Sequence, residues 1–145
     1  DRLVINVALG GTCIRLGNLM NSEIVGLPTD QPWGFIFKRL LTPEGLAEDF
    51  ARHPSQLYEA IFCLFLFAFL LIIYLQKKEN TPSGRIFGWF MTLLFTQRIL
   101  VEFTKENQVA FENALLLNMG QILSIPLVLA GLFILYKSYT KPLAI

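Results

Sequence analysis

Residues 57–75 read LYEAIFCLFLFAFLLIIYL, an apolar run whose single charged side chain is Glu59. A transmembrane helix needs about 20 mostly apolar residues, so this run is predicted to cross a membrane. Residues 86–103 and 115–136 form two further candidates of similar length. Three such segments in one chain leave too little polar surface to cover them in water. We therefore predict an all-α integral membrane protein with three full transmembrane helices.

The overall composition agrees with a membrane protein. The 145 residues are 54% hydrophobic and only 16% charged, whereas soluble domains carry more charge. A formal net charge of +1 gives no reason to propose nucleic-acid binding. One histidine and two scattered cysteines assemble no metal motif, so no metal or other cofactor is expected.

The N-terminal part is predicted to hold a short membrane segment and then an outward-facing loop and arm at residues 15–56. Residues 3–14 are apolar but too few to span a bilayer alone. The sequence starts at Asp1 without an initiator Met, so we expect residues 1–145 to be one membrane domain from a longer protein.

The charges of the connections predict an orientation. Residues 76–85 carry three basic side chains against one acid, and Lys137 and Lys141 follow the last predicted helix. Basic connections favour the cytoplasm, which places residues 18–56 and 104–114 on the outer side. In the outer stretch, residues 32–37 are aromatic and apolar, which fits either an interfacial anchor or an arm that shapes a substrate cleft.

Polar groups at membrane depth identify the candidate site. They are costly unless partnered, which makes them functional candidates. Arg98 lies inside an apolar helix, with Glu102 one turn later on the same face. This pair could hold a substrate phosphate or could only lock helix packing. The densest polar cluster, which could equally brace a re-entrant turn, comprises Arg15, Asn18, Asn21 and Glu23.

Two other segments stand at predicted helix ends. His53 precedes Pro54 and Ser55 at the start of the first full helix, a position where a lone histidine is more often structural. Residues 118–126 contain Gln121 and Ser124, which are expected to hydrogen-bond between helices.

Taken together, these motifs resemble the prolipoprotein diacylglyceryl transferase family. The family signature, Gly-Arg-x-Gly-Asn-Phe-x-Asn-x-Glu-x-x-Gly, is matched over residues 14–26 except that Ile14 replaces Gly and Leu19 replaces Phe. The runs at residues 52–59, 98–103 and 119–124 are equally typical. The resemblance covers nearly the whole chain and corresponds to the C-terminal part of such an enzyme.

The resemblance implies an activity and a site. Such enzymes move a diacylglyceryl group from phosphatidylglycerol to the lipobox cysteine of a prolipoprotein signal peptide, near the outer face of the bacterial inner membrane. The implied catalytic residues are Arg15, Arg98 and Glu102. The implied substrate-binding residues are Asp1, Asn18, Asn21, Glu23, Gly26 and His53. Asp1 and Glu102 would steady the two arginines.

Some features depart from the family, and other functions remain open. The family's upstream His-Gly-Gly segment is absent, Leu94 stands where an aromatic hydroxyl is common, and Lys105 replaces an arginine. We therefore expect the 145-residue chain alone to be inactive. A non-catalytic membrane module is the main alternative, and a transporter with a buried Arg–Glu gate is another.

Overall fold

The computed structural model describes residues 1–105, 114 and 116–140. These residues form helices joined by loops; the loops contain isolated β-bridges, and no β-strand occurs among the described residues. The elements are α1 (Leu3–Asn21), α2 (Ser55–Lys77), a short 3-10 turn (Lys78–Asn80), α3 (Arg85–Glu102) and α4 (Met119–Thr140).

The structure confirms an all-α integral membrane protein. Within the described residues, three segments are long and apolar enough to cross a bilayer: Leu3–Asn21, Ser55–Asn80 and Met119–Thr140. These membrane-spanning segments differ from the predicted ones in two places. The N-terminal segment is a full helix of 19 residues, about 28 Å long, because the polar residues after position 14 continue the helix. α3 forms where expected, but its charges at Arg85, Arg98 and Glu102 leave it outside this apolar set.

α4 starts later than the apolar run suggests. Asn118 accepts the backbone N–H of Gln121 on its Oδ1 at 3.0 Å, the bond of a helix N-cap. The helix accordingly begins at Met119. Residue 115, where the predicted span begins, lies outside the described residues.

The apolar core is formed where α1, α2 and α3 meet. Its fully buried members are Val4, Ile5, Ala8, Leu66, Leu70, Ile86 and Phe90. Many other large apolar side chains point outward, such as Phe65 on α2 and Phe133 on α4. Helices that are apolar on all sides are suited to lipid.

α3 and α4 pack closely because glycines stand at their contact. A Cβ on Gly131 would lie 2.6 Å from Thr92 Oγ1, and a Cβ on Gly88 would lie 2.8 Å from Leu135 Cγ. Small residues let transmembrane helices approach in this way.

Contacts at the helix ends show how α1, α2 and α3 are oriented relative to one another. Asp1 Oδ1 accepts the Phe87 N–H at 2.7 Å, which joins the start of α1 to the start of α3. Thr12 donates to the Ala60 carbonyl at 3.4 Å, which joins the second half of α1 to the start of α2. The end of α1, the start of α2 and the end of α3 therefore share one side of the bundle.

The arm between α1 and α2 covers that side. Arg52 holds it together by donating to both carboxylate oxygens of Glu48, at 2.8 and 3.0 Å, and to the Gly26 carbonyl at 3.1 Å. Trp33 donates to Tyr58 Oη at 2.8 Å and is 54% exposed. The aromatic segment at residues 32–37 thus packs on the start of α2, with the rings of Trp33 and Phe35 exposed and that of Phe37 buried.

Candidate functional site

An apolar cleft of about 370 Å³ lies between α1, α2 and α3. Its wall is mostly aliphatic and aromatic, and polar groups enter it only toward the end of α1 and α3. The lining residues are Val7, Ala8, Gly10, Gly11, Ile14, Arg15, Glu59, Cys63, Phe90, Leu94, Phe95, Gln97 and Arg98. Two sequence-predicted catalytic residues, Arg15 and Arg98, are therefore brought to one cleft by different helices.

Five charged side chains of alternating sign form a ladder at this end of the cleft. Arg15 Nε lies 3.2 Å from Glu59 Oε2, and Lys105 Nζ lies 3.0 Å from Glu59 Oε1. Lys105 Nζ also lies 3.7 Å from Glu102 Oε1, and Arg98 Nη2 lies 3.9 Å from the same oxygen. Three bases against two acids leave one positive charge, so the ladder as a whole favours an anion.

Burial differs along the ladder. The side chains of Glu59 and Lys105 are 3% and 2% exposed, whereas Arg15 and Arg98 are 20% and 39% exposed. The middle of the ladder is thus shielded, and the two guanidinium groups at its ends remain open to the cleft. Each guanidinium offers several N–H donors in a planar fork that matches phosphate oxygens.

α4 supports the second acid of the ladder. Asn118 Nδ2 donates to Glu102 Oε2 at 3.0 Å, and Gln121 Nε2 donates to the Ile99 carbonyl at 3.1 Å. A Cβ on Gly120 would lie 2.8 Å from Glu102 Oε1. The Asn-Met-Gly-Gln run at the start of α4 therefore positions Glu102. The interhelical hydrogen bond expected for Gln121 is confirmed, whereas Ser124 donates to the Gly120 carbonyl of its own helix.

The polar signature residues after Arg15 brace the end of α1. The Asn18 carbonyl accepts the Glu23 N–H at 2.9 Å, and Asn21 Oδ1 accepts Arg39 Nη1 at 3.5 Å. Glu23 is exposed, and its carbonyl accepts Gln56 Nε2 at 2.5 Å. Asn18, Asn21 and Glu23 do not line the cleft described above. Their binding role stays a prediction.

Gly26 and His53 meet where the arm returns to α2. A Cβ on Gly26 would contact the His53 carbonyl and come within 2.7 Å of Ser55 Oγ, so only glycine fits. His53 Nδ1 lies 3.1 Å from Tyr58 Oη. The backbone of Gly26 pairs with that of Lys105, the middle cation of the ladder, in an isolated β-bridge. The substrate-binding role of Gly26 and His53 also stays a prediction.

Asp1 lies apart from the arginines. Its carboxylate accepts the Phe87 N–H near the start of α3, and Arg15 follows Leu3 by twelve helical residues, about 18 Å. The expectation that Asp1 steadies one of the two arginines is therefore corrected. Among the described residues, Glu59 contacts Arg15 and Glu102 contacts Arg98.

Sequence reasoning missed Glu59 and Lys105 as site residues. The signal for Glu59 was available, because a lone acid in an apolar helix is itself a functional candidate. Lys105 stood out only as a departure from the family pattern, and its contacts with two acids needed the fold. Among the described residues, no group of three His, Cys, Asp or Glu side chains is placed to hold a metal ion.

The fold and the site define a multi-pass helical membrane protein with an apolar cleft that ends at two arginines. The family model for prolipoprotein diacylglyceryl transferase matches residues 1–137. The chain belongs to this family.

Curated relatives agree in their names. The phosphatidylglycerol–prolipoprotein diacylglyceryl transferases of Bacteroides fragilis and Tolumonas auensis are each 44% identical to the chain, over 94% and 95% of its length. The enzyme of that name from Chloroherpeton thalassium is 42% identical over 95% of the chain. These matches cover 47%, 50% and 49% of the respective relatives, so the chain spans about half their length. No solved structure matches the chain.

Proposed function

We propose that the protein carrying this chain transfers the diacylglyceryl group of phosphatidylglycerol to the lipobox cysteine of prolipoproteins. The observation that carries the proposal is the apolar cleft that ends between Arg15 and Arg98. An acyl chain fits the wall of such a cleft, and an anionic phosphate fits its end. The family's relatives are named for the same pair of substrates.

The proposed chemistry needs little from the chain beyond positioning and charge. The substrate cysteine is the nucleophile: its sulfur loses its proton and bonds to the diacylglyceryl carbon that carries the phosphate, and the C–O bond between that carbon and the phosphate breaks. The thiol proton ends on the departing phosphate. Glycerol phosphate leaves with the electron pair. Arg15 and Arg98 would hold the phosphate and stabilise the negative charge that develops on the leaving group.

The buried part of the ladder would keep the arginines in place. Glu59 and Glu102 each contact one arginine, and Lys105 lies between the two acids. Fixed charges in a site that excludes water need no reorganisation during the reaction. The proposed role of Glu102 is thus to orient Arg98.

The proposed location is the bacterial inner membrane with the site toward the outer side. The ladder, the arm and the start of α4 share one side of the bundle, while the basic residues at 76–85 lie at the opposite ends of α2 and α3. Basic connections favour the cytoplasm, which supports this orientation. A prolipoprotein signal peptide would then approach from the membrane next to the arm.

The test is lipid transfer by the intact protein in phosphatidylglycerol vesicles. A lipobox peptide should gain the mass of a diacylglyceryl group, and glycerol phosphate should appear in equal amount. The same peptide with serine in place of its cysteine should gain nothing. A protein that folds and inserts but leaves the cysteine peptide unmodified would favour the non-catalytic module instead.

A further inference from the structure

One polar side chain in the cleft wall has no place in the charge ladder. Gln97 lies on α3 one residue before Arg98, and it is only 7% exposed. It shares the cleft wall with Phe90 and Leu94, which precede it by two turns and one turn of the same helix face. Among the described residues, its Nε2 is buried without a hydrogen-bond acceptor.

A buried amide donor without an acceptor is unfavourable, so the cleft is suited to a ligand that supplies one. The acceptor must fit an apolar cleft and lie close to the group that Arg98 binds. In a glycerophospholipid, the ester carbonyls meet this requirement, because they stand a few bonds from the phosphate at the start of the acyl chains.

We propose that Gln97 donates a hydrogen bond from Nε2 to an acyl ester carbonyl of the bound lipid, and thereby selects ester-linked over ether-linked donors. This inference rests on the proposed function. It assigns Gln97 to substrate specificity, since the ester group is not the bond that breaks in the transfer. The hydrogen bond is present equally before and during the reaction, so its loss raises KM and leaves kcat unchanged.

α3 offers a matched control on another face. Thr92 Oγ1 is also buried without an acceptor among the described residues, but it lies against Gly131 of α4 and outside the cleft lining. Thr92→Val removes that polar atom and keeps the side-chain shape. An effect of polarity on α3 in general would appear in both variants, whereas an effect through the lipid would appear only at Gln97.

The experiment compares diester phosphatidylglycerol with its diether analogue of equal chain length, using the intact protein and a lipobox peptide. The wild-type KM should be roughly three- to tenfold lower for the diester, the range of one neutral hydrogen bond. Gln97→Met should remove that difference at unchanged kcat, and Thr92→Val should keep it. An equal KM for both donors in the wild type, or a preference that survives Gln97→Met, would overturn the inference. Absence of wild-type transfer from the diester would overturn the proposed function itself.

Discussion

The two faces of α3 differ in how closely they are packed. On the side of α4, Gly131 sits so close to Thr92 that even one added carbon would collide. On the side of α1, Gly10 faces the cleft and a Cβ there would meet nothing within 4 Å. The same residue type therefore closes one interface and leaves room in the other. Glycine at a helix contact indicates close packing only where the partner backbone is near.

The charge ladder joins the two faces at the C-terminal end of α3. Arg98 opens to the cleft, and Glu102 next to it is held by Asn118 and packed against Gly120 at the start of α4. Lys105 lies between Glu102 and Glu59, and so links α3 with α2. Both faces should consequently loosen if the middle of the ladder is broken.

Removing the buried cation should have the largest effect on stability. Lys105→Met leaves two carboxylates without the ammonium that lies 3.0 and 3.7 Å from them. Breaking a buried pair in this way costs about 3–5 kcal/mol. The expected result is a strong loss of folded protein in detergent, measured by SDS unfolding titration. Lys105→Arg keeps the charge and should retain most of the stability. If Lys105→Met were as stable as the wild type, the charge ladder would not stabilise the fold.

A larger side chain at the α3–α4 contact should lower stability less than the loss of Lys105 does. Gly131→Leu places a side chain against the backbone N and Oγ1 of Thr92, at 2.8 and 2.6 Å from its Cβ. Overpacking of this kind costs roughly 1–3 kcal/mol. The same titration should show no such loss for Gly17→Leu, because a Cβ at Gly17 meets nothing within 4 Å. Similar losses at both positions would mean that the close packing at α4 is not the cause.

A larger side chain in the cleft between α1 and α3 should lower activity and leave stability nearly unchanged. Gly10→Leu projects its side chain into the cleft, where it competes with an acyl chain for apolar wall. If two methylene groups of the acyl chain lose their contact with the wall, the lipid loses about 1.6 kcal/mol of binding free energy. The kcat/KM for lipid transfer should then fall roughly tenfold. The free energy of unfolding of this variant should stay within about 0.5 kcal/mol of the wild-type value. Unchanged transfer by a stable Gly10→Leu would show that the cleft does not hold the lipid.

The sequence predicted those features that are local along the chain. The apolar run at residues 57–75 became α2, Ser55–Lys77, and the four-residue spacing of Arg98 and Glu102 became an ion pair. Hydropathy and helical spacing are properties of neighbouring residues, so they can be read without the fold.

The features that failed depend on contacts between distant segments. The polar residues Arg15, Asn18 and Asn21 were expected to follow a short membrane segment, but they lie within α1. There Arg15 pairs with Glu59 of α2, and Asn21 accepts a hydrogen bond from Arg39 of the arm. The Arg15–Glu59 and Lys105–Glu59 pairs join segments that are more than 40 residues apart, and no spacing in the sequence predicts them. The same holds for Gln97, because the absence of an acceptor for its Nε2 within the described part of the chain appears only in the folded structure.

Arg98→Lys tests most directly whether Arg98 binds the lipid phosphate through two parallel hydrogen bonds. Lysine keeps the charge but loses the parallel N–H donors of the guanidinium. Transfer to a lipobox peptide by the intact protein, normalised to folded protein, should fall about a hundred- to a thousandfold, the cost of losing one preorganised contact in the transition state. Near-normal turnover by Arg98→Lys would contradict the forked phosphate contact and leave Arg98 with a packing role beside Glu102.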